Sequence, residues 1–176
     1  RNNLLKYYKS FKIIGLEQEL SHTFDVTVNN QKISVNLIGH ADRIDKIGNI
    51  IRIIDYKTGS IKDTDVIIKK NASGLDKLTD KSLQLMIYKY LYKVNNPLVA
   101  LENIEPGIFG LRRISKGLFS LSNSSETYND ANFEENCRLQ FIELFAEILN
   151  KDIPFRQTSD EGNCKRVCEV FFSSCY

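Results

Sequence analysis

Two aspartates and a lysine stand on two neighbouring segments whose composition is typical of β-strands. Asp42 belongs to the first segment, and Asp55 and Lys57 end the second, which is a run rich in β-branched residues. The Gly48-Asn49 pair between the segments is typical of a tight hairpin turn. A hairpin that turns there places positions 42 and 55 roughly opposite each other, where cross-strand side chains approach to about 5 Å.

The chemistry of this acidic pair is that of a site for a hard cation. Two carboxylates held this close repel each other, and burying them beside an apolar strand costs free energy unless a positive charge lies between them. Because strand side chains alternate between faces, Asp55 and Lys57 share one face while Tyr56 points into the other layer. Magnesium prefers oxygen ligands, so the pair predicts a divalent-metal site with a lysine beside it.

The same residue types allow a simpler interpretation. Asp42, Arg43, Asp45 and Lys57 could instead form a solvated ladder of salt bridges on an edge hairpin. Exposed ion pairs of this kind contribute little to stability. The residue types alone leave both interpretations open.

The spacing of the apolar residues predicts the elements that position this hairpin. Alternation indicates strands, and the helical repeat indicates two helices. Their order predicts an α/β fold with a mixed central β-sheet flanked by helices. Residues 4–11 are interpreted as the end of a helix that begins upstream, and the lysine-rich residues 61–78 as a surface loop. The predicted strands span residues 12–28, 32–45, 49–57, 107–114 and 118–122, and the predicted helices span residues 79–94 and 130–150.

The first predicted helix carries two polar residues beside its apolar face. Thr79 or Asp80 can cap its start. Gln84 and Tyr88 are four residues apart and therefore share one stripe of the helix. The residues predicted to be buried are Leu83, Ile87, Tyr90, Leu91 and Val94 in this helix and Phe133, Cys137, Phe141, Leu144, Phe145 and Ile148 in the second.

The composition is that of one ordinary domain. The chain has 176 residues, of which 42% are hydrophobic. This is enough to bury a hydrophobic core without disulfide bonds or a structural metal. The net charge of +2 excludes a general basic surface, so any contact with nucleic acid must be local. No apolar run is long enough to cross a membrane, and the cysteines do not follow the pattern of a secreted disulfide framework. We therefore expect a cytoplasmic protein.

Three short motifs follow one another in the first half of the chain. Residues 39–45 read GHADRID, residues 55–59 read DYKTG, and residues 84–88 read QLMIY. Together and in this order they resemble the PD-(D/E)XK nuclease superfamily, and within it the RecB- and AddB-like exonuclease domains. The likeness covers residues 12–94 by motif and the remainder by the order of elements.

The resemblance implies a restriction-endonuclease-like fold and roles for the residues of these motifs. Asp42, Asp55 and the backbone carbonyl of Tyr56 are the implied ligands of Mg²⁺ or Mn²⁺. Asp42, Asp55 and Lys57 are the implied catalytic residues. In this role Lys57 orients water and stabilises charge on the scissile phosphate.

Three further residues are implied to support the site or to bind DNA. Gln84 offers a donor and an acceptor, and Tyr88 offers a hydroxyl and a stacking face. On spacing alone, an ordinary helix flank with a half-buried tyrosine is an equally good interpretation. Glu17 is implied to lie near the metal, although Glu19 is on the same face and fits nearly as well.

The implied function is that of a magnesium-dependent DNA exonuclease in recombination or repair. Its implied substrate is single-stranded DNA threaded from a helicase subunit or domain. A structure- or sequence-specific endonuclease is a second enzymatic interpretation. A catalytically silent nuclease fold that binds DNA or docks another protein is the interpretation from a different class.

The chain departs from the family's pattern in one histidine. Relatives usually add a histidine from a helix upstream of the first strand, and neither His22 nor His40 is placed there. The sequence begins at Arg1 rather than at a methionine. We therefore expect residues 1–176 to be a single PD-(D/E)XK domain, a carboxy-terminal fragment that lacks its upstream helix.

The chain also departs from the family in its cysteines. Many relatives close with a cysteine cluster that holds iron and sulfur, whereas Cys164, Cys168 and Cys175 are spaced more widely. Cys137 lies on a predicted buried helix face, where a thiol behaves as a small hydrophobe. Since no fourth ligand is evident, we expect neither an iron–sulfur cluster nor zinc.

Overall fold

A mixed β-sheet with helices packed on it forms the described part of the chain. The computed structural model describes residues 11–125, 127–128 and 131–155. No helix in these ranges is both long and apolar enough to cross a membrane. The elements are β1 (Phe11–Val28), β2 (Gln31–Ile47), β3 (Ile50–Lys57), β4 (Ile67–Ile68), α1 (Asp80–Asn95), β5 (Ile104–Gly110), β6 (Leu118–Ser120), β7 (Ser122–Asn123) and α2 (Phe133–Leu149), with 3-10 turns at Asp63–Val66, Leu75–Lys77, Leu101–Asn103 and Leu111–Lys116.

Two hairpins open the fold. β1 and β2 pair antiparallel across Asn29 and Asn30, whose φ angles are 49° and 63°. Asparagine tolerates this left-handed conformation, which matches the twist of the flanking strands. β2 then pairs antiparallel with β3 across a turn in which Gly48 has a φ of 59°. The sequence predicted both turns.

The sheet has the order β1-β2-β3-β5-β6. β3 and β5 are parallel, and the chain between them passes through α1. The other neighbouring pairs are antiparallel. This mixed sheet confirms the predicted fold class.

Both described helices pack on one face of this sheet. Gln84 of α1 reaches Asp55 of β3, and Tyr90 of α1 stacks on Phe24 of β1 with ring centroids 6.0 Å apart. Phe141 of α2 lies 5.8 Å from the same Phe24 ring. We call this side, on which Asp55 lies, the front face. The back face carries the alternate residues of β3, Arg52 and Tyr56.

The segment that precedes α1 belongs to the core. Four of its aliphatic side chains are buried, and β4 pairs in parallel with β7. The prediction of a surface loop over residues 61–78 is therefore wrong. Its buried residues follow no long period because Val66 ends a short 3-10 turn, Ile68 lies in a two-residue strand, and the other two lie in irregular stretches between elements. The buried residues are Ile61, Val66, Ile68 and Ala72.

The buried face of α1 is rotated from the predicted one. Leu85, Met86 and Tyr88 are buried with Tyr90 and Leu91. The side chains of three residues that were expected inside are only partly buried. These three are Leu83, Ile87 and Val94.

One boundary and the burial of two side chains also differ from the prediction. β5 ends at Gly110, and residues 111–114 turn as a 3-10 segment instead of continuing the strand. In α2, Leu144 and Ile148 are exposed, whereas the other four predicted residues are buried or pack against the core. The predicted hairpin between β5 and β6 is confirmed by their antiparallel pairing.

Candidate active site

The β2–β3 hairpin brings its two acidic positions together. Arg43 lies opposite Ile54, so Asp42 and Asp55 are the next residues on the two strands. Asp42 Oδ2 accepts a hydrogen bond from the backbone N–H of Tyr56 at 2.6 Å. This bond holds the Asp42 carboxylate against the end of β3.

Asp55 is the most constrained acid of the site. It is 5% exposed, and its Oδ1 accepts hydrogen bonds from Gln84 Nε2 at 3.0 Å and Lys57 Nζ at 3.3 Å. Its Oδ2 is buried and accepts no hydrogen bond from any described residue, although Lys57 Nζ lies 3.0 Å away. A buried carboxylate oxygen in this state is costly, so it favours a further cation.

Helix α1 is tied to this end of the sheet through Tyr88. Gln84 Nε2 lies 2.9 Å from Tyr88 Oη, and Tyr88 donates its hydroxyl proton to the backbone carbonyl of His40 at 2.7 Å. The close approach depends on Gly39, because a Cβ built there would lie 3.0 Å from Tyr88 Cε1. Gln84 thus holds Asp55 while Tyr88 holds Gln84.

Burial raises the pKa of Tyr88 above its usual range. The hydrogen bond from Gln84 opposes this shift, while the negative charges of Asp55 and Asp42 add to it. The tyrosine therefore keeps its proton at neutral pH and remains a donor.

The structure does not draw Glu17 into this hydrogen-bonded group. Leu16 pairs with Arg43 and Gln18 with Ala41, so Glu17 is level with Asp42 on the edge strand. Its φ of 47° interrupts the regular alternation of side chains, and the side chain is exposed. Glu19 is also exposed and lies opposite His40. The choice between the two glutamates stays a prediction.

The donor set of the site fits a hard cation. Two carboxylates and the carbonyl of Tyr56 offer oxygen ligands, and Mg²⁺ typically takes one or two carboxylates and keeps several waters. The described residues contain no group of three or more His, Cys, Asp or Glu side chains that could hold a metal ion. The fit therefore rests on the acidic pair and on the unbonded oxygen of Asp55.

The one cysteine that the structure describes lies in the core rather than at this site. Cys137 is fully buried in α2, and burial raises the pKa of its thiol to about 12. It is therefore neither a nucleophile nor a ready metal ligand. Cys164, Cys168 and Cys175 lie outside the described residues.

A second buried aspartate lies on the back face. Asp45 is 0% exposed and accepts hydrogen bonds from Arg43 Nε at 2.7 Å and Arg52 Nε at 2.7 Å. Arg43 also donates to Tyr56 Oη at 3.3 Å. The hairpin therefore separates its charges between two faces, and the solvated salt-bridge ladder is not formed.

This back-face group was missed by sequence reasoning. The signal for this group was Asp45, the second aspartate of the GHADRID motif. Arg43 precedes it in the same motif, and Arg52 follows on the next strand. Tyr56 does lie on the back face, but it is 40% exposed and stacks on Phe109 at the surface, with ring centroids 6.1 Å apart.

The described fold is thus a mixed sheet crossed by helix α1, and the β2–β3 hairpin of this sheet carries an acidic pair and a lysine. The family model of the PD-(D/E)XK nuclease superfamily matches residues 2–174, so the chain belongs to this superfamily. Members of this superfamily are usually nucleases. No curated protein matches the chain.

One solved structure shows a distant likeness. Its title is "Crystal structure of SSO0001", and the identity is 16% with a TM-score of 0.33. The alignment covers 97% of this chain and 63% of that chain. The present chain thus spans less than two thirds of that protein.

Proposed function

We propose that this domain is a magnesium- or manganese-dependent deoxyribonuclease that hydrolyses phosphodiester bonds. One observation carries the proposal. Asp55 is buried, lies beside Lys57, and keeps one carboxylate oxygen that accepts no hydrogen bond from the described residues. A purely structural aspartate at 5% exposure would be expected to have both oxygens satisfied.

The site residues divide the work of hydrolysis between them. Asp42, Asp55 and the Tyr56 carbonyl would hold the metal, which when bound supplies an activated water and neutralises charge on the phosphate. Lys57 is held by Asp55 and supplies a second positive charge for the phosphate. Gln84 fixes the orientation of Asp55, and Tyr88 fixes Gln84.

The finer assignment rests on the likeness to RecB- and AddB-like domains. We propose an exonuclease that acts on single-stranded DNA in recombination or repair, fed by a helicase subunit or domain. We also propose that it works in the cytoplasm. The support for the substrate and the pathway is the set of three motifs over residues 39–45, 55–59 and 84–88, and the proposed location rests on the cysteine pattern of the sequence.

Cleavage of a labelled strand by an Asp55→Ala variant tests the proposal. We expect the wild-type chain to degrade the strand in Mg²⁺ or Mn²⁺ and the variant to lose at least about 1000-fold in rate, as expected when a metal ligand and charge-stabilising group is removed. The matched control is Asp76→Ala, which removes an exposed aspartate outside the site. Full metal-dependent cleavage by Asp55→Ala would refute the assignment.

The choice between exonuclease and endonuclease needs a second substrate. An exonuclease should degrade a linear single strand and leave a circular strand of the same sequence intact. Cleavage of the circle at a comparable rate would contradict the exonuclease assignment and leave the nuclease assignment standing.

A catalytically silent nuclease fold is the second candidate. The exposed Glu17 and the lack of a third acidic or histidine ligand among the described residues favour it. Calorimetry with Mg²⁺ separates the two, because a silent module has no reason to bind the ion at Asp42 and Asp55.

A further inference from the structure

The chain that leaves β5 lies beside the active-site strand. β3 and β5 are parallel neighbours, and Lys57 lies opposite Gly110, the last residue of β5. Neighbouring strands are about 4.8 Å apart. The six residues that follow, Leu111–Lys116, form 3-10 turns, and we call them the basic turn. This turn therefore begins next to Lys57.

The basic turn has an unusual composition for this chain. Three of its residues are basic and none is acidic, although the whole chain carries a net charge of only +2. Its two large aliphatic residues are turned outward, with Leu111 47% and Ile114 64% exposed. Positive charge and apolar surface are thus presented together at the edge that holds the candidate active site. The basic residues are Arg112, Arg113 and Lys116.

Two of these cations anchor the turn to the fold. Arg113 donates to the backbone carbonyl of Ile61 at 3.2 Å, and its guanidinium carbon lies 5.7 Å from the centre of the Phe119 ring. Lys116 forms an ion pair with Asp63. These contacts link the turn to β6 and to the segment that precedes α1.

The third cation, Arg112, has a side chain that is not used in holding the turn. Arg112 is exposed and makes no hydrogen bond or ion pair with any residue in the described ranges. An arginine side chain is a good ligand for phosphate oxygens, since its planar fork can donate two parallel hydrogen bonds. In the chain it directly follows Leu111, whose side chain is also exposed.

We propose that the basic turn binds the single strand of DNA that enters the active site. Arg112 binds a backbone phosphate, and Leu111 and Ile114 pack against the faces of unpaired bases. A duplex keeps its base faces stacked inside, so only a single strand can use both the charge and the apolar surface. This inference rests on the proposed nuclease function and adds the surface that selects its substrate.

Binding of a fluorescently labelled oligothymidine to the full chain in EDTA tests the charge. We expect Arg112→Ala to weaken binding about three- to tenfold and to reduce the slope of log affinity against log salt by about 0.7, the value for one phosphate contact to a single strand. The control is Lys32→Ala. Lys32 is exposed on β2, ten residues and so about 33 Å from Asp42. We expect this control to bind as the wild type does.

An Ile114→Ala variant tests the apolar contact. We expect it to weaken binding of the single strand several-fold and to leave binding of a duplex of the same length unchanged. Ile114 is exposed, so circular dichroism should show an intact fold. An equal loss for both substrates would overturn the role assigned to unpaired bases.

Two results of the Arg112 experiment would contradict the proposal. They are unchanged binding by Arg112→Ala and an equal loss in Lys32→Ala. Because binding is measured without metal, its result is independent of cleavage. If the wild-type chain binds the strand through Arg112 but does not cut it, the proposed function fails and the surface stands.

Discussion

Two aspartates of one hairpin have nearly the same burial and very different surroundings. Asp45 is 0% exposed on the back face, and Asp55 is 5% exposed on the front face. Both oxygens of Asp45 accept hydrogen bonds from Arg43 and Arg52. Asp55 accepts from one amide and one lysine on one oxygen, and its other oxygen accepts none from the described residues.

This difference separates a structural carboxylate from a functional one. Two arginines satisfy Asp45 completely, so it has no remaining capacity for a ligand and serves to fix β2 against β3. Asp55 keeps part of its capacity, which is destabilising for the fold and useful for binding a cation. The number of donors around the carboxylate, rather than its burial, distinguishes the two.

The largest expected effect on stability is at Asp45. Asp45→Asn removes the buried charge that both arginines bind, and breaking a buried ion pair costs about 3 to 5 kcal/mol. We expect about 3 kcal/mol, since the Arg43 and Arg52 side chains keep 21% and 12% exposure and so reach some water. Urea unfolding measures this change. A loss of less than about 1 kcal/mol in the free energy of unfolding would contradict the structural role assigned to Asp45.

The next effect is stabilisation of the wild-type fold by Mg²⁺. An ion that binds only the folded state raises the free energy of unfolding by about 2.7 kcal/mol at a hundredfold excess over its dissociation constant. We expect this rise in the wild type and not in Asp55→Asn, measured by thermal unfolding across a range of Mg²⁺ concentrations. An equal rise in both proteins would place the cation elsewhere.

A smaller effect is expected at the support of Asp55. Tyr88→Phe removes the hydrogen bond to the His40 carbonyl and frees Gln84 from its second partner. We expect a loss of about 1 kcal/mol in the free energy of unfolding. We also expect a fall in the cleavage rate without loss of DNA binding, because Gln84 then holds Asp55 less firmly. Unchanged cleavage would show that this support is not needed.

Neutralising Asp55 should hardly change stability, in contrast to Asp45. Asp55→Asn removes a charge whose Oδ2 accepts no hydrogen bond from the described residues, and Lys57, with 36% of its side chain exposed, can turn to water. We expect the free energy of unfolding to stay within about 1 kcal/mol of the wild type. A loss as large as that of Asp45→Asn would erase the contrast between the two faces.

The smallest effect at neutral pH concerns Tyr90, a residue of α1 whose ring contacts Phe141 of α2. Burial raises the pKa of Tyr90 from 10.0 to about 12. Because the folded state favours the neutral phenol, this stability is fully present below pH 10 and is lost as the pH rises through about 12. We expect Tyr90→Phe to match the wild type at pH 7 and to lose stability less steeply above pH 10 in urea unfolding. An identical alkaline slope would contradict this account.

The hairpin that holds the acidic pair could be predicted because its information is local. Gly48 fixes the turn, the turn fixes the register, and the register makes Asp42 and Asp55 neighbours. The order of strands and helices gave the mixed sheet in the same way. Both predictions are confirmed by the strand pairing.

The contacts of α1 could not be predicted because they depend on the tertiary fold. Hydrophobicity favoured Leu83 and Ile87 as buried, whereas the helix turns so that Tyr88 is buried against Gly39. A hydroxyl bonded to a backbone carbonyl of another strand leaves no periodic signal in the sequence. The number of hydrogen-bond donors around Asp55 and around Asp45 also depends on tertiary contacts, so the sequence could not predict this difference.

The edge strand shows a second limit. Alternation placed Glu17 and Glu19 on one face, but the φ of 47° at Glu17 interrupts that alternation. Glutamate rarely adopts a positive φ, so the residue type does not predict the left-handed backbone conformation at this position. The catalytic and metal-binding roles of Asp42, Asp55 and Lys57 stay predictions.

Degradation of an end-labelled single strand by this chain and by Lys57→Ala, in Mg²⁺, Mn²⁺ and EDTA, tests the central claim most directly. Among the described residues, the hydrogen bond and the ion pair of Lys57 are both made with Asp55, so its removal acts on the charge beside the unbonded oxygen. The account predicts cleavage by the wild type that needs the metal and is lost in the variant. Equal cleavage by both proteins, or cleavage that persists in EDTA, would contradict it.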